Sequence, residues 1–345
     1  MKIIIFFFSI LKSRWNFTKP PQKNILIFDG FYNPFDTLFK KKDYNLFYSR
    51  LEEINIYILI QCLKRRSLNF QSYFENFVRA SKPKVIITGI DNSLKFLTLS
   101  KFVKVPLISV QNGYRTEVGD LSTNIRFSKK LGCKFFVNEM FVYNKRTCED
   151  YNSFIDGKKT IIGSYKNNIN KIRKLKFSKK KGMLYVSCFK PKKLGINLDN
   201  ISYEDFYKKD YLVIQRLNKL CNINKIEFAI LARQKTKFNL IKEFNYYRKT
   251  IGDNFIFIKN YKNRNYFKYL DLYKYVATVD STLPIENLSR GGRSIFIFCR
   301  PLKKFINSRR YGFSEGLPKK GLYWSDTPEI KEIDRLFKNI VFKDQ

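Results

Sequence analysis

The sequence predicts an α/β protein of two domains, each a doubly wound parallel sheet, facing each other across a cleft. Three observations predict it. Short apolar runs alternate with helix-compatible stretches along most of the 345 residues, the pattern of parallel strands joined by helical crossovers. A polar, basic stretch, Lys166 to Lys181 (KNNINKIRKLKFSKKK), separates two such alternations, as a linker between domains does. And Tyr275 to Phe298, YVATVDSTLPIENLSRGGRSIFIF, shows the unit in miniature. An apolar run ends at Val279, Asp280-Ser281-Thr282 breaks it, helix formers continue to Ser289, Gly291-Gly292 stops them, and Ser294 begins another apolar run. That is a βαβ unit.

Taken in order, residues 1–23 form a leader. MKIIIFFFSILKSRW holds an apolar stretch of about ten residues, too short to span a bilayer. With Lys12, Arg14 and Trp15 beside it, one reading is an interfacial anchor on an anionic membrane face. The other is a strand or helix packed on the first domain. That N-terminal domain is expected over 24–165. Asn24 to Phe28 is a strand ending in the turn Asp29-Gly30. Residues 31–80 are mixed, with a helix from Ser72 to Ala80 stopped by Lys82-Pro83. Val85 to Thr88 is a strand, followed by Gly89-Ile90-Asp91-Asn92 and a helix from Ser93 to Val103. Pro106 to Val110 is a strand ending in Gln111-Asn112-Gly113. Cys133 to Val137 is a strand, then a helix is expected from Asn138 to Tyr151, and Thr160 to Ile162 is the last short strand.

The linker, 166–181, leads to a C-terminal domain over 182–324. Strands are expected at Met183 to Cys188, Ile226 to Leu231 and Phe255 to Ile258, with helices at Tyr203 to Cys221, Phe238 to Tyr247 and Tyr266 to Leu272. The segment 325–345 carries an amphipathic helix, Thr327 to Val341, with Ile330, Ile333, Leu336, Phe337 and Ile340 on one face. It is expected to pack back on the first domain.

The chain carries 67 Lys and Arg against 29 Asp and Glu, a formal net charge of +38. This field favours anionic partners: nucleotide phosphates, an anionic lipid surface or nucleic acid. The lysines are spread along the chain and form no nucleic-acid arm. Six cysteines lack any Cys-x-x-Cys spacing, and with no His in the chain no zinc site is expected. Without imidazole, acid–base chemistry falls to Asp, Glu, Tyr, Lys or Cys. The dinucleotide fingerprint and the phosphate loop are both absent, which argues against a nicotinamide enzyme and a P-loop ATPase.

In open α/β sheets ligands bind beyond the carboxyl ends of the strands. In the first domain those ends carry Asp29, Asp91-Asn92, Gln111-Asn112-Gly113 and Arg115. In the second they carry Arg233, Lys235 and Asp280-Ser281-Thr282. Ser281 and Thr282 stand at a helix N-terminus, which attracts phosphate. Glu286, one turn on, suits the hydroxyls of a ribose. Each has a plainer role as a turn, a cap or a solvated charge.

The stretches KVIITGIDNSLKF (84–96), PLISVQNGYR (106–115), IIGSYKNN (161–168), ILARQ (230–234), STLPIENLSRGGRSIFIF (281–298) and GLYW (321–324) together resemble bacterial surface-carbohydrate biosynthesis proteins. These are glycosyltransferases of the GT-B fold used for capsule and lipopolysaccharide glycans. The resemblance implies two Rossmann-like domains, an acceptor domain followed by a nucleotide-donor domain. It implies phosphate binding by Ser281 and Thr282, ribose binding by Glu286, a basic residue near the donor phosphates at Arg233, and cleft positions at Asp91, Asn92, Gln111 and Asn112. Such enzymes commonly work without a bound metal. Several relatives use a His in the cleft or the donor pocket, and this chain departs from them in having none.

The expected reaction is transfer of a sugar from a nucleotide-sugar co-substrate, with no bound cofactor, to a glycan or lipid-linked acceptor on the cytoplasmic side of the inner membrane. A carboxylate, Asp29 or Asp91, takes the acceptor's proton. Arg233, Lys235 and the helix start at Ser281 stabilise the departing phosphate, and Arg115 stands on the acceptor side. Two rivals remain: a polyol-phosphate transferase of the teichoic-acid type, and a basic nucleic-acid-binding protein. Against the second, no RNA- or DNA-binding signature is present, and the aromatics follow core periodicity.

Overall fold

The computed structural model describes residues 13–30, 33–115, 121–173, 175–190, 203–259, 266–299 and 318–342. The chain divides into two compact units, Met1–Ile169 and Asn170–Gln345.

In the first unit the strands are β1 (Arg14–Asn16), β2 (Ile25–Phe28), β3 (Tyr44–Phe47), β4 (Glu53–Asn55), β5 (Val85–Thr88), β6 (Leu107–Val110), β7 (Phe135–Val142) and β8 (Ile155–Ile161). The helices are α1 (Ile56–Lys64), α2 (Phe70–Ser81), α3 (Leu94–Leu97), α4 (Ser122–Leu131), α5 (Lys145–Asn152) and α6 (Tyr165–Ile169). Six strands form one sheet in the order β3-β2-β5-β6-β7-β8, every pair parallel. The chain starts in the middle at β2, moves outward to β3, then returns to β5 and continues the other way. The switch point therefore lies between β2 and β5. Runs such as Ile25–Phe28 and Val85–Ile87 are apolar throughout because both faces are covered, with Leu26, Phe28 and Ile86 in one core and Ile27 and Ile87 in another. Asn55, Asn69 and Asn144 cap α1, α2 and α5 by accepting from the N–H groups of Ile58, Ser72 and Thr147.

In the second unit the strands are β9 (Lys181–Val186), β10 (Phe228–Leu231), β11 (Ile256–Ile258), β12 (Tyr273–Thr278), β13 (Arg293–Ile297) and β14 (Trp324–Ser325). The helices are α7 (Tyr203–Ile223), α8 (Lys237–Ile251), α9 (Phe267–Leu272), α10 (Leu283–Ser289) and α11 (Ile330–Val341). The sheet order is β11-β10-β9-β12-β13-β14, again with every pair parallel. Its switch point lies between β9 and β12. The βαβ unit expected at Tyr275 to Phe298 is β12-α10-β13. Gly291 ends the helix with φ 76°, and Gly292 lies so close to the Asn287 side chain that a Cβ would collide with it.

The doubly wound reading holds in both units, and several local expectations are corrected. The helix expected from Asn138 begins only at Lys145, because β7 runs on to Val142. Val137, Met140 and Val142 are buried there, and the register with β8 shifts between Phe136 and Glu139. A bulge re-phases the alternation, so the run looks helical without being so. The helix expected from Ser93 to Val103 is one α turn followed by a 3-10 turn, Leu99–Lys101. The mixed region 31–80 contains β3, β4 and α1. Within the leader, residues 1–12 and the anchor reading lie outside the described residues, while Arg14–Asn16 pairs with Glu53–Asn55.

Of the stretch read as a linker, residues up to Ile169 lie in α6 of the first unit, and from Asn170 on it is tied to the second. The buried Arg290–Asp271 ion pair, at 2.6 Å, sits beneath it. Arg290 also donates to the carbonyls of Asn170 and Lys171, and Asp271 accepts from the N–H of Arg173. The C-terminal helix is corrected too. Ile333, Leu336, Phe337 and Ile340 of α11, expected to pack on the first domain, are buried in the second unit's own core with residues of α7, β9 and β13, and Ile330 is exposed. Among the described residues no helix is long and apolar enough to cross a membrane.

Candidate functional site

A pocket of about 320 Å³ opens beyond the carboxyl ends of β9, β10 and β12 in the second unit. This is the switch point, where diverging crossovers leave a crevice. Its polar wall includes Ser187, Lys190, Arg233, Asp280, Ser281 and Thr282. The loops that carry them are fastened from below. Glu243, on α8 and fully buried, accepts from the Ser187 hydroxyl, from Arg233 N–H at 2.9 Å and from Gln234 N–H at 2.8 Å. The Tyr247 hydroxyl donates to Ser187 Oγ at 2.8 Å. Arg233 Nη1 reaches the Cys188 carbonyl at 3.2 Å, and Gln234 Nε2 the Phe189 carbonyl at 2.9 Å. The loop after β9 and the loop after β10 are thus held as one piece. Burial pushes the Glu243 carboxyl above the usual glutamate value, opposed by these hydrogen bonds.

On the β12 side, Thr278 Oγ1 donates to the Val186 carbonyl and accepts from Ser281 N–H. Ser281 Oγ accepts from Leu283 N–H at 3.3 Å. Pro284 has no N–H, and those of Ile285 and Glu286 both turn back to the Thr282 carbonyl. The helix mouth is therefore poorer in available amides than its sequence suggests. It offers a ligand the Ser281 and Thr282 hydroxyls and the Thr282 N–H, so an anion here depends more on Arg233 and Lys190 than on the helix end. Glu286 is only 4% exposed and does not line the pocket. Lys235 is exposed and also lies outside its wall.

The first unit treats its strand ends differently. Asp91, after β5, is fully buried. It receives both arms of Arg115 at 2.8 Å, the N–H of Asn112 at 2.9 Å and the Tyr151 hydroxyl. Burial alone would raise its pKa, but the Arg115 charge and these hydrogen bonds together hold it below the ordinary aspartate value. Gln111 accepts from Tyr143 N–H and donates to the Gly113 carbonyl, and the Asn92 carbonyl accepts from Asn124. Asp91, Asn112 and Arg115 thus form one connected network, which Gln111 joins through Tyr143, whose hydroxyl donates to the Asn112 carbonyl.

Asp29, after β2, is different again. It has a left-handed backbone, φ 62°. One carboxylate oxygen accepts from the Ser49 hydroxyl, the other is buried outside full hydrogen-bond geometry, and the Ser93 hydroxyl also acts on the carboxylate. Burial raises its pKa, opposed by Ser49 and the Arg50 charge. A buried carboxylate of raised pKa at a switch point is a candidate general base.

The structure brings Arg233, Ser281 and Thr282 to one pocket, as their strand-end positions suggest. It adds Ser187, Lys190 and, beneath them, Glu243. Sequence reasoning passed over Glu243, although Leu240, Glu243 and Tyr247 share helical spacing with an apolar face. Among the described residues no group of three or more His, Cys, Asp or Glu is placed to hold a metal ion.

Residues 108–343 match the model of a family described as "putative O-antigen biosynthesis protein". No curated protein sequence matches the chain. Among solved structures, the fold is similar to a UDP-N-acetylglucosamine 2-epimerase, so described, from Listeria monocytogenes, with TM-score 0.50, 8% identity and coverage of 92% of this chain and 88% of that one. A UDP-GlcNAc 2-epimerase from Methanocaldococcus jannaschii, solved with UDP-GlcNAc and UDP, gives TM-score 0.49 and 11% identity over 93% and 92%. A glycosylation-associated protein complex (Gap123) from Streptococcus agalactiae gives 0.44 and 11%, over 78% of this chain and 51% of that one. The chain spans about half the length of that last protein. At such identity the Listeria likeness bears on the fold, two Rossmann-like units of GT-B type.

Proposed function

The chain belongs to this family of O-antigen biosynthesis proteins, and from that premise we propose that it is a glycosyltransferase using a nucleotide-sugar donor to build a surface glycan. The observation that carries the reading is the second unit's switch-point pocket, which sets Arg233, Ser281 and Thr282 around one space of about 320 Å³.

In the proposed reaction the donor's diphosphate sits in that pocket. Arg233 and the two hydroxyls meet the negative charge that grows on the departing nucleotide. Glu243 keeps Arg233 and Ser187 in place. Asp29 of the first unit takes the acceptor hydroxyl's proton. Asp91, with its oxygens committed and its pKa low, is the weaker candidate for that task and serves to hold Arg115 and the Asn112 backbone. The donor is a co-substrate and no bound cofactor is invoked.

The test is calorimetric titration with UDP, CMP, GDP, CDP-glycerol and a short oligonucleotide, followed by mass analysis of products made from the preferred donor. One nucleotide should bind, and Ser281→Ala with Thr282→Val should weaken it about tenfold, the worth of a charge-assisted hydrogen bond. Preference for CDP-glycerol replaces this reading with the polyol-phosphate transferase. Preference for the oligonucleotide with steep salt dependence overturns it. A nucleotide-sugar that is epimerised but never transferred overturns it as well.

A further inference from the structure

A second, larger pocket lies wholly in the first unit, about 750 Å³ in volume. We propose that it holds the hydrocarbon chain of a single-chain anionic amphiphile, the lipid portion of the acceptor, drawn from an anionic membrane surface. The proposal rests on the transferase reading and names the acceptor's chemistry.

The pocket's wall decides the class of ligand. Its exposed surface is mainly apolar, with Phe47, Ile54, Leu59, Leu68 and Phe70 among the residues that supply it. A sugar or a nucleotide needs several hydrogen-bonding partners, and here Ser49, Asn69 and the Tyr73 hydroxyl are already engaged with Asp29, Ser72 N–H and Asn55 N–H, whereas an aliphatic chain needs none.

The rim decides the head. Arg50 and Lys95 stand there, and the acidic lining residue, Glu53, is ion-paired with Arg14. Lys95 Nζ donates to the Ser49 carbonyl at 2.6 Å and lies 5.3 Å over the Phe70 ring. The Ser49 hydroxyl in turn donates to Asp29. A head group resting at Lys95 is therefore next to the residue that holds the proposed base.

The surroundings point to the source. Leu59 and Cys62 of α1 line the pocket, and the same helix exposes Ile60 and Leu63 and runs into Lys64-Arg65-Arg66. Exposed apolar side chains beside a basic run suit the boundary of an anionic bilayer.

The experiment is calorimetric titration of the full chain, without nucleotide, using decyl, dodecyl and tetradecyl phosphate as monomers, dodecyl maltoside as a neutral head, and vesicles of anionic phospholipid. Affinity should rise about fourfold per added methylene until the pocket is filled, and dodecyl phosphate should bind more tightly than the maltoside. Leu68 is 63% exposed, so Leu68→Glu should keep its unfolding midpoint yet bind dodecyl phosphate at least tenfold more weakly. Lys95→Met should weaken the phosphate and spare the maltoside.

Affinity independent of chain length overturns the proposal, as does a Leu68→Glu variant that binds like the wild type. Binding to vesicles but to no monomer reduces the feature to surface charge and also overturns it. Binding only after removal of residues 1–11 makes the chain's own apolar start the occupant, and the proposal fails in that case too. Because no nucleotide is present, amphiphile binding by a protein that binds no nucleotide defeats the transferase reading, and with it the amphiphile's role as acceptor, and leaves the pocket's ligand class standing. The reverse result defeats this pocket alone.

Discussion

At the ends of β5 and β6 in the first unit, Arg115, Tyr151 and the Asn112 N–H satisfy Asp91, and Gln111 is spent on the Gly113 carbonyl and Tyr143 N–H. At the ends of β9, β10 and β12 in the second, Arg233, Ser281 and Thr282 border an open pocket while a buried Glu243 holds the loops from beneath. Both sheets are parallel and change direction in the same way, so topology alone does not make a site. The difference lies in where the hydrogen bonds go. In the first unit a carboxylate and a guanidinium consume each other and stiffen the loop. In the second the carboxylate is placed one layer deeper and spent on backbone, so that the cation and hydroxyls above it remain for a ligand.

The largest expected effect breaks the filled end. Arg115→Ala strands the Asp91 charge in a site with no exposure, and loss of one partner from a buried ion pair costs about 3–5 kcal/mol. Denaturant titration should show that loss, while nucleotide affinity of the protein that stays folded should be unchanged. The pH signature follows from the lowered pKa of Asp91. Its stabilising contribution is present above the ordinary aspartate value and is lost as pH falls through the lower, folded value. Arg115→Ala should therefore unfold at a higher pH on acid titration than the wild type. A variant as stable as the wild type would mean that the network contributes nothing to the first unit.

The next effect is at the open end. Arg233 is exposed, and its side-chain hydrogen bond to the Cys188 carbonyl is 3.2 Å long. Arg233→Ala should leave stability within about 1 kcal/mol and weaken nucleotide binding about tenfold or more. If instead stability falls and affinity holds, Arg233 belongs with Arg115, and the contrast between the two ends disappears.

How far the sequence revealed these sites differs in the same way. The unit β12-α10-β13 was legible because its punctuation is local: an apolar run, a polar break, a proline in the first turn, and two glycines, Gly291 with a left-handed backbone and Gly292 with no room for a Cβ. The strand ends were legible as places, since β2, β5, β9 and β12 are unmistakable apolar runs. What each end does was not. Asp91-Asn92 and Asp280-Ser281-Thr282 read alike in sequence, and only the distant partners Arg115 and Tyr151 separate them. Glu243 looks like a solvated helix residue until its face is seen to be buried. The extension of β7 was hidden by the irregular register between Phe136 and Glu139. The 750 Å³ pocket was hidden because its lining is gathered from Trp15 to Lys95 across six elements and their loops.

The smallest effect tests the support itself. Glu243 Oε1 takes two donors, Ser187 Oγ and Arg233 N–H, and Oε2 takes one, Gln234 N–H. In Glu243→Gln the better orientation keeps the amide oxygen at the doubly bonded position and turns its NH₂ toward Gln234 N–H, a donor facing a donor. One hydrogen bond is lost, at about 1–2 kcal/mol of stability, and the loosened loop should weaken nucleotide binding by a few-fold at most. The pH dependence runs opposite to that of Asp91. Burial raises the Glu243 pKa, so the folded state holds the proton more tightly than the unfolded chain does. That contribution is full below the ordinary glutamate value and is lost as pH rises through the raised one. Between about pH 4 and 7 the wild type should lose part of its stability advantage over Glu243→Gln as pH rises, read from denaturant midpoints of the two proteins side by side. A difference that stays constant across that range would mean that Glu243 titrates as an ordinary carboxylate, and that the open end is held by its backbone turns and not by the buried acid.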